Sequence, residues 1–582
     1  MSGIWLAVFG LMVLFLGFRF YSKFLADRIY RLDPDFVTPA HQFNDGVDFV
    51  PTHKWVLWGH HFASIAGAAP IVGPAIALYW GWLPALLWVV FGTVLAAGVH
   101  DLGALVLSAR NKGQSIGTMC NRLIGKRAKI LFLFIILILL LMVNAVFAWV
   151  IANLFITEPA SVVSIFIEIP LAVWIGYSVL KKKGRMLVPA LIALVIMYGA
   201  AVVASRVEFL QIDLVSYFGG DGATVMGVDA VSMAFLVWIT ILLVYVYIAS
   251  TLPVWVLLQP RDYINAQQLV VGMLMLYGGL LALNPQLTAP AYNADATTSW
   301  FPLLFITIAC GAISGFHGLV ASGTSSKQLN KEPDARVVGY LGAVGEGALA
   351  LIVIIAVATF FGTQADFVGT YSSFAEAGKR GIGAFVGGAG QLATGLGIPA
   401  DIARTIVAII TISFAATTLD TALRLLRYII AELGTEYKVN WLTGRHAASG
   451  VAVGLVAALV LLPDGGRGLG SGGYLLWPLF GTANQLLAGI TLMLVSLWLW
   501  RQGRNALPTL MPMIFLLIMT IWAMTQQVVF DWSGMGPNDA KWLLFILGAI
   551  ILGFALWILL EAIMVFRDPQ KLTHYESEAE GQ

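Results

Sequence analysis

Charge is scarce in this sequence. Lys, Arg, Asp and Glu make up 11% of its 582 residues, against 59% hydrophobic residues and a mean hydropathy of +0.86. Soluble globular domains carry about 25% charged residues, so that class is excluded. Cysteine is nearly absent. Cys120 in a basic loop and Cys310 in an apolar run offer no disulfide framework. Neither a CxxC nor an HxxxH spacing occurs, so no transition-metal site is expected. There is no phosphate-binding glycine loop, and no paired nucleophile and base argues for chemistry. The chain is therefore expected to be neither an ATPase nor another enzyme, and to need no cofactor. A formal net charge of +2 carries no nucleic-acid signature. No basic residue precedes the first apolar run, while Arg19, Lys23, Arg28 and Arg31 follow it, so it reads as an anchor rather than a cleaved signal.

What the sequence has in abundance is apolar length. About fifteen runs are long enough to cross a bilayer, at residues 3–20, 56–79, 83–108, 129–156, 161–180, 186–205, 229–258, 266–288, 300–323, 337–362, 402–426, 446–463, 474–500, 508–529 and 542–566. Basic residues cluster at 19–31, 110–129, 181–185, 327–336, 424–445, 501–504 and after Arg567. The positive-inside rule then puts the N-terminus outside and the C-terminus in the cytoplasm. That alternation requires the glycine-rich segment 382–397 not to cross; it reads as re-entrant or as lying on the outer face. The expected class is an all-α multi-pass membrane protein. Its divisions are a first helix and polar segment (1–54), a transport core (55–431), and further helices with a short tail (432–582).

Two runs break the rule that a spanning helix keeps its backbone satisfied. The run 56–79 contains Gly67, Ala68, Ala69 and Pro70, then Gly73-Pro74. The run 229–258 contains Ser250, Thr251, Leu252 and Pro253, then Gln259-Pro260. They lie five spans apart with opposite orientation, as the broken first helices of a five-plus-five inverted repeat would. Half-helix N-termini at Pro70 and Pro253 would attract a carboxylate. Ser64, Gly67, Ala68, Pro70, Ser250, Thr251 and Pro253 are thus the expected substrate contacts. Packing kinks are the plainer alternative, since glycine and proline are common in membrane helices.

Ionisable residues inside spans default to functional hypotheses. His60 and His61 open the first broken run, with His60, Ser64, Gly67 and Ile71 on one face. Histidine titrates near neutral pH and can carry a coupling proton; interfacial hydrogen bonding is the alternative. His100 and Asp101 could relay protons or tie helices together. As neighbours on one helix they are expected to need partners from other spans. His317 lies in GAISGFHGLVASGTSSKQ, where small residues permit close helix approach. Thr324, Ser325 and Ser326 follow and offer hydroxyls either to a sodium ion or to a helix end. Glu346, well inside its span, is a candidate proton acceptor. Glu168 and Asp420 are weaker candidates, with Asp420 expected to pair with Arg424 four residues on. Asn484-Gln485 reads as helix-bridging polarity.

The blocks DGVDFVPTHKWVLWGHHFASIAGAAPIVGP at 45–74, AGVHD at 97–101, SGFHGLVASGTSSK at 314–327 and FGTANQLLAG at 480–489 resemble the signatures of the carbon starvation protein A family. The resemblance covers most of the chain in the right order. It implies a LeuT-like carrier in a bacterial cytoplasmic membrane that takes up pyruvate or peptides, driven by protons. It places His60, His61, Ser64, Gly67, Pro70, His100, Asp101 and His317 in the family pattern. The expected function is secondary active import of pyruvate, related small carboxylates or short peptides, coupled to H+. Alternatives are a sodium-coupled carrier, a nutrient sensor without net transport, and a channel. The lipid bilayer and the substrate are the expected partners, and no sequence feature points to an oligomeric state.

Overall fold

The computed structural model describes residues 1–567 except 47, 181–183, 185, 465–466 and 537–538. The basic run at 181–183 and 185 and the tail beyond Arg567 lie outside the described residues. Apart from one small hairpin, Thr224–Val225 with Val228–Asp229, the described elements are helices. Twelve of them are long and apolar enough to cross a membrane. Lys54–Ile65 and Ala69–Trp80, bent by 48°, form a further broken span. The shorter apolar helix Arg445–Val460 and the interrupted run 303–328 complete the expected order. The protein is a multi-pass, all-α membrane protein.

Local chemistry sets many of the ends. Ser2 and Asp229 accept the amides of Ile4 and Ser232 at the starts of Gly3–Leu16 and Ala230–Thr251. Arg424 donates to the carbonyls of Ala249 and Leu252 where Ala230–Thr251 ends.

The longest helices, Lys126–Thr157 (32 residues) and Ala400–Glu436 (37 residues), pack together in the interior beside Gly472–Arg501. Pro159–Val179 and Leu187–Arg206 form a peripheral pair with large lipid-facing surfaces. Helices without side chains at the crossing approach closely, because lipid supplies no hydrophobic drive of its own. A Cβ on Gly279 would sit 2.0 Å from the carbonyl oxygen of Leu392.

The structure corrects three expectations. The run 229–258 is not one broken span. Ala230–Thr251 ends there, residues 252–257 turn, and a new span, Leu258–Leu283, begins. Pro253 disfavours helix at the residue before it, which stops the first span rather than kinking it. The span expected at 266–288 therefore starts earlier and takes Arg261, Asp262 and Asn265 into the helix. The second interruption lies instead inside the run expected as 300–323. There Leu303–Thr307 and Gly315–Val320 are separated by non-helical residues 308–314. The segment 382–397 belongs largely to the helix Phe374–Thr394, which is not among the candidate spans. It packs on span ends around Ala75, Ile76, Ala356 and Gly279.

Candidate functional site

The two interrupted spans cross each other at their breaks. A Cβ on Gly73 would lie 2.3 Å from the carbonyl oxygen of Thr307, and one on Gly311 would lie 3.5 Å from Cα of Pro70. The register, 73 beside 307 and 70 beside 311, is antiparallel. Gly311 is required twice over: its φ is +95°, and an added Cβ would meet that of Ala350 at 2.8 Å. Replacing Gly73 with alanine is expected to destabilise the fold by about 1–3 kcal/mol, since the obstacle is backbone. Thermal unfolding in detergent measures this. Gly454→Ala is the control, because a Cβ there meets nothing within 4 Å and stability is not expected to fall.

Of the expected substrate contacts, Ser64, Gly67, Ala68 and Pro70 sit at the first break. Thr418 donates to the Ser64 carbonyl at 3.2 Å, and Thr421 lies 3.4 Å from the Ser64 hydroxyl. Gly67 packs against Thr418 and Phe147, so close that a Cβ would touch both. The structure does not bring Ser250, Thr251 and Pro253 there. The Ser250 hydroxyl bonds the Tyr247 carbonyl and Ser449, and Thr251 bonds the carbonyl of Ile248. These are contacts of a helix end.

All of the expected proton-handling residues but His60 converge. Asp101 Oδ1 lies 2.8 Å from His100 Nδ1, and Oδ2 lies 3.0 Å from His317 Nδ1 and 3.9 Å from His61 Nε2. His317 Nε2 faces Glu346 Oε2 at 3.2 Å. The other Glu346 oxygen accepts the Gly311 amide, inside the second break, at 3.2 Å. All five side chains are buried. His317 has a carboxylate on each nitrogen. It can donate to both only as an imidazolium, or it passes a proton to one of them. The adjacent pair His100–Asp101 does touch, contrary to expectation. One carboxylate oxygen reaches back to its neighbour while the other serves the facing span.

His60 pairs through Nδ1 with Asp262, and its Nε2 lies 3.2 Å from the Thr324 hydroxyl. His61 Nδ1 lies 2.9 Å from the Ser325 hydroxyl, and Ser326 bonds Ser108 at 2.9 Å. The three hydroxyls weighed as a cation site thus each face a protein side chain. Asn484 caps the helix after the second break by accepting the Phe316 amide at 2.9 Å, and it donates to the Ser314 hydroxyl at 2.9 Å.

Sequence reasoning missed the centre of a second buried cluster. The Arg261 guanidinium contacts Asp420, Tyr245 and, at 3.3 Å, Glu168. Asp420 therefore does not pair with Arg424, whose guanidinium is committed to helix-end carbonyls. Asn265 donates to Thr417 at 2.6 Å on the same interior face. The signal was present in QPRDYINAQQ at 259–268, a polar start to an apolar run, but a misplaced boundary assigned most of it to a loop.

Residues 2–377 and 360–523 match the family described as carbon starvation protein CstA. The chain is 32% identical to a peptide transporter CstA of Campylobacter jejuni, over 91% of this chain and 80% of that protein. It is 33% identical to a peptide transporter CstA of Mycobacterium tuberculosis, over 90% and 75%. It is 30% identical to the pyruvate/proton symporter BtsT of Escherichia coli, over 90% and 81%. The chain belongs to the carbon starvation protein CstA family.

Proposed function

We propose that the protein is a secondary active importer in a bacterial cytoplasmic membrane, coupling inward proton flow to uptake of pyruvate, related small carboxylates or short peptides. The observation that carries this reading is the chain His100–Asp101–His317–Glu346, which is buried, titratable and ends on the amide of Gly311 within a helix break. Protons moving along it change the charge of Glu346, and Glu346 holds both the break and the half-helix beyond it. Gain or loss of that carboxylate is thereby tied to the shape of the second break. The carboxylate of the substrate sits between the crossed breaks near Ser64–Pro70, where helix N-terminal amides favour an anion.

A LeuT-like inverted repeat is the architecture we infer for this. With the peripheral pair Pro159–Val179 and Leu187–Arg206 set aside, each broken span opens a unit of five, 54–283 and 303–501. The third member of each unit is its longest helix, Lys126–Thr157 and Ala400–Glu436. The charge pattern orients the two broken spans oppositely, with the N-terminus outside and the C-terminus in the cytoplasm. Sodium coupling is the second reading, favoured by the Ser64 carbonyl and hydroxyl facing the hydroxyls of Thr418 and Thr421 respectively.

Proteoliposomes with an imposed inward proton gradient and no sodium test both. The native protein is expected to accumulate labelled pyruvate or dialanine. Glu346→Gln is expected to lose accumulation and keep exchange of labelled for unlabelled substrate. Accumulation that needs sodium, or an unchanged Glu346→Gln variant, overturns the proton assignment.

A further inference from the structure

A cavity of about 310 Å³ opens among the basic loops, away from the crossed breaks. Its mouth carries Lys112 and Lys327, and its wall includes Gln114, Leu319, Ser322 and Tyr428. Lys327 is half-buried, with its ammonium over two aromatic rings. Its ammonium lies 4.9 Å from the ring centre of Tyr428 and 5.4 Å from that of Phe49. Among the described residues, neither lysine has a carboxylate within ion-pair distance. The one carboxylate in the wall, Glu432, is already engaged by the hydroxyls of Thr118 at 2.9 Å and Ser115 at 3.3 Å, with Lys129 at 3.9 Å. The Gln114 side-chain oxygen is buried and without a partner.

Asp48 is engaged by the Tyr428 hydroxyl at 2.9 Å. An ammonium over two rings with no carboxylate at ion-pair distance favours a small anion, and the apolar wall at Leu140, Leu319 and Leu425 favours one with a short hydrocarbon part. The volume is at the small end for ligand sites. The cavity also touches the machinery. Ser322 and Gly323 form part of its wall, and the next two residues, Thr324 and Ser325, carry the hydrogen bonds to His60 and His61.

We propose that this cavity is a second binding site for a small organic carboxylate, a way-station on the side of the basic loops with Lys327 as its cation. The assignment to the transport path rests on the symport reading above.

Two measurements separate that reading from the site itself. The first needs no transport. A single reporter, Ile429→Cys, is placed in the cavity wall in the full chain, where the native Cys120 and Cys310 are buried. Pyruvate is expected to slow its labelling by N-ethylmaleimide. Adding Lys327→Met is expected to raise the pyruvate concentration needed by about tenfold, and Lys327→Arg to leave it within about twofold of the parent. Equal loss in the Met and Arg variants, no protection by pyruvate, or protection by inorganic phosphate alone would each overturn the proposal. The second measurement compares half-saturation for efflux and uptake in proteoliposomes. Lys327→Met is expected to raise the efflux value alone. A rise in both shows that Lys327 acts on the central site, which also overturns the proposal. Native liposomes that accumulate nothing refute the symport reading, while the labelling result still decides the cavity.

Discussion

Asp101→Asn is expected to reduce proton-driven uptake at least about 100-fold, the equivalent of about 3 kcal/mol. Asp101 is where three histidines from three spans meet: His100 from its own helix, His317 from beyond the second break, and His61 from the first broken span. An amide in its place keeps one acceptor oxygen and turns the other position into a donor. His317 or His100 then faces a donor instead of a carboxylate, in surroundings without water to repair the mismatch. The net charge of the cluster changes as well, so His317 is left with Glu346 as its only carboxylate. The measurement is initial uptake per folded protein in proteoliposomes, with monodispersity by size exclusion as the folding check. Asp101→Glu, which keeps the charge but displaces it, is expected to fall between the two. Uptake by the asparagine variant within tenfold of native would remove Asp101 from the mechanism.

The second large effect is on stability. Arg261→Met is expected to lower the unfolding free energy by about 3–5 kcal/mol, because it strands Glu168 and Asp420 as buried carboxylates without their shared cation. The desolvation of those groups is offset in the native protein by one guanidinium, whose fork reaches both and also the Tyr245 hydroxyl. Four helices meet there: Pro159–Val179, Ala230–Thr251, Leu258–Leu283 and Ala400–Glu436. The triple variant Arg261→Met, Glu168→Gln, Asp420→Asn removes all three charges and is expected to recover most of the loss. Thermal unfolding of the purified proteins measures both. A triple variant as unstable as the single one would show that shape at Arg261, rather than uncompensated charge, dominates.

Hydropathy and charge spacing made the membrane class and the order of most spans legible. Each depends only on local length or on loop composition. The first break was legible too, because Gly67 and Pro70 interrupt one helix whose neighbours are unbroken. The second was not. Pro253 gave the strongest punctuation in 229–258, yet it ends a span. The true interruption at 308–314 contains no proline, and its Gly311 and Ser314 read equally well as close packing. Among site residues, His317 stood out on its own helix. Its carboxylate partner Asp101 lies 216 positions earlier, and no periodicity within a helix reports which neighbour it faces. Arg261 and Asp262 were hidden for a different reason: polar residues at the start of a span resemble a loop until a buried partner makes them affordable inside.

The antiparallel crossing of the two breaks is made main chain to main chain, with Gly73 on Thr307 and Gly311 on Pro70. At Gly73 the joint has no side chain to compress, rotate or repack. It cannot yield by degrees, as a cushion of leucines would. The half-helices either stay seated and turn together as one lever, or part and admit something between them. A ligand seated at this crossing would have to part backbone from backbone rather than rearrange side chains.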